Sequence, residues 1–371
     1  MVPHNVFADL AFYFPIGKFF SHVREFSSKR LVEDDDTLRN VDVALANLAY
    51  FTPDRRNQTI GDQLFGRIRQ LVKRRGFDFD IVQGHFTWPT GYAAVRIARE
   101  FNVPSVIYLH ESQDWLLEML ASKNPRFRWA WGNADALVRV NKRDIPMLQS
   151  INRRVLHIPG GFDPIRFCPM AKDEARERIG LPSEGKVLFT LGAHEKRKGF
   201  EYLIEAMVPL VEQFPDLHCL IGGSGPYTSN LQKVVRRLGV GDHITFSGQI
   251  PSSLLASYYN AANLFVLPSL SEGNPTVMFE SLGCGIPFVG TAVGGVREVI
   301  TSDNYGLLVQ PRDSNGLGET IALALNRRWD KDLIRGYSLQ YSWESNARSL
   351  SELYGGLLGV AGAARGDRLI S

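Results

Sequence analysis

Two carboxylates lie eight residues apart in the run 271–280, which reads Ser-Glu-Gly-Asn-Pro-Thr-Val-Met-Phe-Glu. Asn274 is a residue type that caps helices and Pro275 one that suits a first helical position, so we expect a helix to begin here. Its free amides and the positive end of its dipole would attract an anion. Glu272 before the helix and Glu280 in its second turn could then contact different parts of a phosphate-bearing ligand. The alternative is an ordinary capped helix whose two acids are solvated.

The composition limits the classes of protein to which the chain can belong. With 371 residues, of which 44% are hydrophobic and 22% charged, it is typical of a soluble globular protein and long enough for two domains. No apolar stretch reaches the roughly 18 to 20 residues that span a bilayer, and the N-terminus lacks the pattern of a signal peptide. Three widely spaced cysteines indicate a reducing compartment and predict neither a disulfide framework nor a metal site. The net charge of +3 does not require a nucleic-acid partner, and we expect none.

Short apolar runs alternate with amphipathic stretches from residue 186 onward. A Gly, Ser or Pro loop follows each run, a repetition that predicts the α/β class with a doubly wound parallel sheet. Ligands of that architecture bind at the carboxyl ends of the strands. We predict strands at residues 187–191, 217–222, 244–247, 264–267, 287–290 and 307–309.

The first half of the chain repeats this scheme less completely. Helical patterns occur at 92–101 and around 115–130, between buried runs that resemble strands. The sequence therefore predicts a second sheet domain, and two such domains facing each other would enclose a cleft. We predict its strands at 80–83, 105–109, 136–140 and 155–158.

Three segments follow from these patterns. We predict an N-terminal domain over residues 1–165, a second domain over 166–345, and a C-terminal helix with a loosely ordered tail over 346–371. The boundary is indicated by the Gly- and Pro-rich stretch 159–164 and by the polar stretch 171–185. Residues 1–60 show no clear strand followed by a glycine-rich turn and a helix, so we expect the first domain to lack its first strand.

Taken together, the segments between about residues 78 and 354 resemble glycosyltransferase family 4, the retaining nucleotide-sugar transferases. In the first half the resemblance includes Gly84-His85-Phe86, the stretch 104–111 with His110 near its end, and 155–163. In the second half it includes Lys198-Gly199-Phe200, the turn 221–226, the pair Glu272 and Glu280, and the glycines of 283–287 and 293–295. The order of these segments agrees with the family as well as their content. The resemblance implies the GT-B fold, in which two Rossmann-like domains face a cleft.

The resemblance also implies how the departing diphosphate is stabilised. Cationic side chains and a helix N-terminus can do this without a metal. We assign the cationic role to Lys198 and Arg197; for Lys198 the alternative is a solvated loop lysine. The family usually carries an arginine after the glycine at position 192, whereas this chain has Ala193 there, and we expect Arg197 to supply the missing charge.

Further site residues follow from the same resemblance. Glu280 would accept hydrogen bonds from the ribose hydroxyls, Glu272 would hold donor-sugar hydroxyls, and His110 would bond to the donor sugar. Without the resemblance, His110 would be interpreted as a structural core residue. His85 is a weaker candidate on the acceptor side. The remaining residues expected to contact the donor are Gly223, Gly225, Gly273, Asn274, Pro275, Thr276 and Val277.

The activity implied is transfer of a hexose or related sugar from a UDP- or GDP-sugar to a saccharide or lipid-linked acceptor, as in polysaccharide biosynthesis. We expect no cofactor besides this co-substrate and no metal, since the sequence offers no clustered His and Cys ligands. We expect a cytoplasmic protein, with contact to an anionic membrane surface as a lesser expectation. Two alternatives stay open: a nucleotide-sugar epimerase of similar architecture, and a non-catalytic nucleotide-sugar-binding scaffold, which Ala193 and the curtailed first domain favour.

Overall fold

The computed structural model describes residues 2–5, 45–48 and 59–366. In the N-terminal region, β1 (Val2–Asn5) and β2 (Leu45–Leu48) pair with each other in parallel. Two short strands are thus present where the sequence showed none clearly, but among the described residues neither pairs with a larger sheet. The glycine-rich turn sought after the first strand falls at positions that lie outside the described residues.

A four-stranded parallel sheet forms the centre of the first half. Its strands stand in the order β3 (Val82–His85), β4 (Ser105–Leu109), β5 (Ala136–Arg139) and β6 (Val155–His157). Every residue of β4 and β5 is buried, as expected of parallel strands covered on both faces. The prediction for β4 is confirmed, whereas β3 begins two residues later than predicted, where the amide of Val82 joins the carbonyl of Pro104.

Five α-helices accompany this sheet in the described part of the chain. The region around 115–130, predicted as one helical stretch, contains two helices because Asn124 caps the second and Pro125 occupies its first position. The five helices are α1 (Ile60–Arg75), α2 (Tyr92–Phe101), α3 (Gln113–Ala121), α4 (Pro125–Asn133) and α5 (Ile145–Gln149).

A six-stranded parallel sheet forms the centre of the second half. It contains β7 (Lys186–Leu191), β8 (Leu217–Gly222), β9 (Ile244–Gly248), β10 (Leu264–Leu267), β11 (Phe288–Thr291) and β12 (Gly306–Val309). The order β12-β11-β10-β7-β8-β9 shows that the chain builds outward from β7 in one direction and from β10 in the other. This confirms the predicted doubly wound sheet. The order reverses between β7 and β10, so their carboxyl ends flank the crevice in which such sheets bind ligands.

The helices of the second half pack by their apolar faces. In α7 (Phe200–Gln213), the buried side chains of Phe200, Leu203, Ile204 and Met207 recur at helical spacing and cover one face of the sheet. The other helices up to residue 338 are α6 (Lys172–Arg178), α8 (Thr228–Leu238), α9 (Leu255–Ala261), α10 (Thr276–Gly283), α11 (Val296–Val299), α12 (Ser314–Asn326) and α13 (Lys331–Ser338).

The C-terminal helix connects the two halves. Helix α14 (Trp343–Gly366) follows the second half, yet its Leu353 and Leu357 pack into a cluster with β4 and β5 of the first. The sequence predicted a C-terminal helix with a loosely ordered tail within 346–371, but the helix continues to Gly366, and residues 367–371 lie outside the described residues. Within the part of the chain that the structure describes, no helix is both long enough and apolar enough to cross a membrane.

The chain passes between the halves twice, and the two passages lie side by side. Phe162, on the outward passage, forms an isolated parallel bridge with Ser342 on the return. The Phe162 amide donates to the carbonyl of Tyr341 at 3.1 Å, and the Trp343 amide donates to the carbonyl of Phe162 at 3.0 Å. The side chain of Phe162 is fully buried. These backbone bonds fix the two crossing segments to each other.

Candidate active site

An ion pair occupies the point where the strand order of the second sheet reverses. Lys198 lies in the loop after β7 and Glu272 in the loop after β10, and the Lys198 ammonium donates to Glu272 Oε1 at 2.6 Å. Ser269 Oγ donates to the same oxygen, also at 2.6 Å. Only 12% of the lysine side chain and 6% of the glutamate side chain are exposed. The topology therefore brings together two residues that are 74 positions apart in the sequence.

Glycine permits the close approach of these two loops. Gly199 has φ +64°, and a Cβ atom there would lie 2.1 Å from the carbonyl oxygen of Pro268. A side chain at this position would therefore push the Lys198 loop away from the end of β10.

The helix that follows Glu272 presents uncapped amides. Helix α10 begins at Thr276, with Pro275 preceding it, and no side chain caps its N-terminus. Thr276 is exposed, and the first amides of a helix have no partner within the helix. The predicted helix N-terminus is therefore present one residue later than expected, and its amide groups at Thr276 and Val277 are open to an anion.

Asn274 does not cap this helix, contrary to the sequence prediction. Its Nδ2 donates to the carbonyl of Val140 at 3.0 Å, and its Oδ1 accepts from the amide of Gly160 at 3.3 Å. The side-chain amide thus bonds to backbone groups at the end of the first half, which keeps it away from the α10 amides. Asn274 joins the two halves instead.

Glu280 is held by a buried tyrosine. The Tyr259 hydroxyl, on α9, donates to Glu280 Oε2 at 2.6 Å, and Tyr259 is fully buried. Burial raises the pKa of Glu280, while the bond from Tyr259 and the charge of Arg166 act in the opposite direction. Glu280 Oε1 receives no hydrogen bond from the described residues. One carboxylate oxygen is therefore fixed, and the other can accept from a ligand.

The predicted glycine turn after β8 contacts the loop after β7. Gly223 has φ +103°, and a Cβ atom there would lie 2.0 Å from the carbonyl oxygen of Gly192. At Gly225 a Cβ atom would lie 2.6 Å from the carbonyl oxygen of His194, whose side chain is buried. Backbone packing between the two loops that form this side of the crevice thus accounts for both glycines.

The first half contributes two histidines from the carboxyl ends of β3 and β4. His85 Nδ1 lies 2.8 Å from His110 Nε2. Burial, with smaller contributions from the nearby His85 and Arg139, lowers the pKa of His110 to about 4, so His110 is neutral at pH 7. Gly273 of the second half approaches this site, since a Cβ atom there would lie 3.0 Å from the His110 carbonyl oxygen. The structure therefore brings His110 next to the Glu272 loop.

A buried arginine that the sequence analysis did not single out fixes the backbone around His110. Arg139, the last residue of β5, is fully buried and donates to the carbonyls of Leu109 and Glu111 at 3.0 and 2.7 Å. Its Nε also donates to Asp144 Oδ2 at 2.9 Å, within a buried ion pair. The signal in the sequence was a charged residue at the end of an otherwise apolar strand.

Among the described residues, further polar contacts cross the crevice besides those of Asn274. Ser271 Oγ donates to Asp114 Oδ2 at 2.6 Å. The Glu298 carboxylate accepts from the consecutive amides of Lys142 and Arg143, at 2.7 and 3.0 Å. The donor-side loops are therefore tied to the first half on the same side as His110.

Arg197 lies outside this group, which differs from the expectation that it supplies charge for a phosphate. Its Nε donates to Glu195 Oε2 at 2.6 Å, in an exposed pair within its own loop. Lys198 is the neighbouring residue whose side chain reaches Glu272. No cluster of three or more His, Cys, Asp or Glu side chains suited to a metal ion occurs within residues 2–5, 45–48 and 59–366.

A cavity of about 660 Å³ adjoins His85 in the first half. His85, Gln83 and Thr90 contribute its polar groups, and among the described residues most of its lining is apolar or aromatic. Its apolar and aromatic lining includes Leu64, Ile68, Val72, Phe86, Trp88 and Trp115.

Comparison with known proteins agrees with this geometry. The model described as Glycosyl transferases group 1 matches residues 171–349, and the model described as Glycosyltransferase Family 4 matches residues 31–166. A D-inositol 3-phosphate glycosyltransferase of Corynebacterium urealyticum is 26% identical over 316 residues, covering 78% of this chain and 74% of the relative. These similarities define the protein as a glycosyltransferase enzyme. The chain belongs to glycosyltransferase family 4.

Solved structures show the same architecture. A sucrose-phosphate synthase from Thermosynechococcus elongatus superposes with a TM-score of 0.71 at 24% identity, covering 84% of this chain and 81% of that chain. HepE of Anabaena, in complex with UDP and glucose, superposes with a TM-score of 0.68 at 17% identity, covering 84% and 86%. The expected GT-B fold is confirmed.

Proposed function

We propose that the protein is a retaining, metal-independent transferase that moves a sugar from a UDP- or GDP-sugar to a saccharide or lipid-linked acceptor. The observation that carries the proposal is the Lys198–Glu272 pair beside the uncapped amides of Thr276 and Val277, at the crevice edge that adjoins His110. These groups combine fixed positive charge, amide donors and a sugar-binding carboxylate.

In this proposal the Lys198 ammonium and the amides of α10 stabilise the negative charge that develops on the departing diphosphate. They are already in position, so little reorganisation is needed during the reaction. The crevice lies where strand order reverses in the second sheet, which is where this architecture binds nucleotides. The solved complex of a GT-B neighbour with UDP and glucose supports a nucleotide-sugar donor.

The proposed reaction is a direct exchange at the anomeric carbon. The bond from this carbon to the phosphate oxygen breaks, and a bond to the acceptor hydroxyl oxygen forms on the same face. The departing phosphate takes the proton of that hydroxyl. Glu272 is a poor candidate for a covalent nucleophile, because its Oε1 already accepts hydrogen bonds from Lys198 and Ser269. Its second oxygen can hold a donor-sugar hydroxyl.

The acceptor would approach from the first half. The cavity beside His85 has a mostly apolar lining in the described chain, which supports an acceptor with an apolar portion. With a lipid-linked acceptor, the enzyme would work from the cytoplasm at the membrane surface.

The first experiment is a screen of UDP- and GDP-sugars for thermal stabilisation, since a ligand that binds only the folded state raises its melting temperature. The donor that stabilises the protein is then incubated with candidate acceptors. Acceptor-dependent release of the nucleoside diphosphate is expected, with the sugar in the product linked to the acceptor in retained configuration. A sugar that changes configuration while still attached to the nucleotide would contradict transfer and indicate epimerase activity.

Removal of divalent metal should leave the transfer rate unchanged. We expect the rate in excess EDTA to equal the rate with added Mg²⁺ or Mn²⁺, because Lys198 and the helix amides supply the positive charge that a metal would otherwise provide. The same protein preparation without EDTA serves as the control. Loss of transfer in EDTA and its recovery on adding a metal would contradict metal independence.

Replacement of Glu280 by alanine should weaken nucleotide-sugar binding more than tenfold, or about 1.4 kcal/mol, by removing the acceptor of the ribose hydroxyls. Because the alanine variant also leaves the buried Tyr259 hydroxyl without its partner, Glu280→Gln is measured in parallel. The glutamine oxygen can still accept from Tyr259, but its NH2 group cannot accept from ribose.

Calorimetric titration with the free nucleoside diphosphate measures these affinities. The matched control is Glu212→Ala, which removes an exposed acid at the far end of α7 and should leave affinity unchanged. Wild-type affinity in both Glu280 variants would refute the ribose contact.

A further inference from the structure

Four side chains form a continuous hydrogen-bonded chain from the C-terminal helix to His110. The hydroxyl of Tyr354, on α14, donates to Gln83 Oε1 on β3. Gln83 Nε2 lies 3.0 Å from His85 Nε2, and His85 Nδ1 lies 2.8 Å from His110 Nε2. The chain therefore crosses three elements, with each contact at hydrogen-bond distance.

The donors and acceptors among these four side chains determine which atom donates at each hydrogen bond. Because the Gln83 carbonyl accepts from Tyr354, its NH2 group faces His85, and an NH2 group can only donate. His85 Nε2 is then the unprotonated nitrogen, and the single proton of a neutral His85 lies on Nδ1. That proton points to His110 Nε2, which accepts it. The proton of His110 must therefore lie on Nδ1.

Both imidazoles are neutral in this environment, as this order of hydrogen-bond donors and acceptors requires. Burial beside Tyr108 and His110 lowers the pKa of His85. The pKa of His110 is lowered to about 4, chiefly by burial and further by the neighbouring His85 and Arg139. Tyr108, stacked on His110 at 4.3 Å between ring centres, stays a neutral phenol because burial raises its pKa.

We propose that Gln83 and Tyr354 are positioning residues that act through His85 to hold His110 in its Nδ1–H form. The functional consequence rests on the proposed function, with His110 in the role that the family resemblance implies, a hydrogen bond to the donor sugar. No hydrogen bond occupies His110 Nδ1 among the described residues. His110 Nδ1–H thus presents a hydrogen-bond donor to the sugar oxygen. If the order of donors and acceptors were reversed, His110 Nδ1 would present an acceptor at the same place.

The experiment reads the tautomer directly. In protein labelled with ¹⁵N-histidine at pH 8.5, long-range ¹H–¹⁵N correlation distinguishes a protonated Nδ1 from a protonated Nε2, and a His110→Asn variant assigns the signals. Wild-type His110 should show the Nδ1–H form. Gln83→Glu should reverse it, because a carboxylate can only accept: His85 then carries its proton on Nε2, and His110 must donate from Nε2.

Two further variants test the proposal even if Gln83→Glu folds poorly. Tyr354→Phe removes only the hydroxyl that orients the Gln83 amide, so His110 should show a mixture of both forms. Tyr337→Phe is the matched control, because that hydroxyl bonds to the carbonyl of Val299 and to Tyr341 away from this chain. A wild-type His110 in the Nε2–H form, or the same His110 form in wild type, Gln83→Glu and Tyr354→Phe, would overturn the proposal.

Kinetics then separates this inference from the proposed function. With His110 reversed, kcat/KM for transfer should fall about tenfold, the size of one misdirected hydrogen bond, while the affinity for free nucleoside diphosphate stays at the wild-type value. A reversed tautomer with unchanged kcat/KM would support the positioning chain and refute the role of His110 at the donor sugar. The tautomer is measured without any substrate, so failure of the positioning proposal can be distinguished from failure of the proposed function.

Discussion

Replacing Lys198 by methionine is expected to lower kcat by about 10²–10³-fold, the usual effect of removing one preorganised group that stabilises developing negative charge. Methionine keeps most of the aliphatic length of lysine and lacks the ammonium. The ammonium lies 2.6 Å from Glu272 in a largely buried site, where water cannot replace its charge. KM for the donor should rise less than kcat falls, because the charge on the diphosphate increases as the sugar departs.

The control for this variant is Lys186→Met. Lys186 begins β7, at the opposite end of the strand that leads to Lys198, and lies 4.0 Å from Asp216 in a partly exposed pair. Loss of the Lys186 ammonium should change kcat less than twofold, because this residue is remote from the crevice. The fold should also be little affected, since an ion pair that is accessible to solvent contributes about 0 to 1 kcal/mol to stability. Steady-state kinetics of both variants decides the question. If Lys198→Met kept wild-type kcat, the assignment of the diphosphate to this crevice would be wrong.

The second large effect is expected at Arg139, where replacement by leucine should destabilise the first half by about 3–5 kcal/mol. The change leaves Asp144 as a buried carboxylate without its cation, and it removes the donor from the carbonyls of Leu109 and Glu111. These carbonyls flank His110, so the loss of activity should be larger than the loss of folded protein alone explains.

Urea unfolding followed by tryptophan fluorescence measures this effect. Four of the six tryptophans, Trp88, Trp115, Trp129 and Trp131, lie in the first half and report on it. Arg143→Leu, at an exposed position in the next turn, should change the free energy of unfolding by less than about 0.5 kcal/mol. The double variant Arg139→Leu with Asp144→Leu should recover part of the loss, since it removes the unpaired charge. A cost below about 1 kcal/mol in the single variant would contradict this account.

The strands were the part of the fold most accessible from sequence. Buried parallel strands are nearly continuous apolar runs bounded by glycine and proline, and β4, β8 and β10 begin and end where predicted. The C-terminal helix was harder to predict. Glycines and alanines after Gly355 give little amphipathic signal, and the helix depends on packing against a sheet that is distant in sequence.

The site was predictable where local sequence decides the geometry. Lys198 and Glu272 each follow a strand end, and the topology of the second sheet brings these two together; Glu280 lies on the helix after Glu272. Asn274 and Arg197 were assigned by residue type. In the structure each side chain has a closer partner, across the crevice for Asn274 and within its own loop for Arg197. Such competition between partners cannot be derived from a local pattern.

The residues that support the site were missed for a related reason. Tyr259 supports Glu280 from a different helix, and Tyr354 reaches Gln83 across 271 positions of sequence. Long-range contacts of this kind have no local signature. Arg139 is the exception. A charged residue within a buried strand requires a partner, so the sequence alone could have predicted a buried ion pair at this position.

The bridge between Phe162 and Ser342 determines how the crevice can open. Both passages of the chain meet there and are joined by backbone hydrogen bonds, so we expect the halves to separate by rotating about this hinge. Rotation would leave those bonds intact and break the contacts of Ser271 with Asp114, of Asn274 with Val140, and of Glu298 with the amides of 142–143. The free energy of these polar contacts therefore contributes to the balance between this closed arrangement and an opened one.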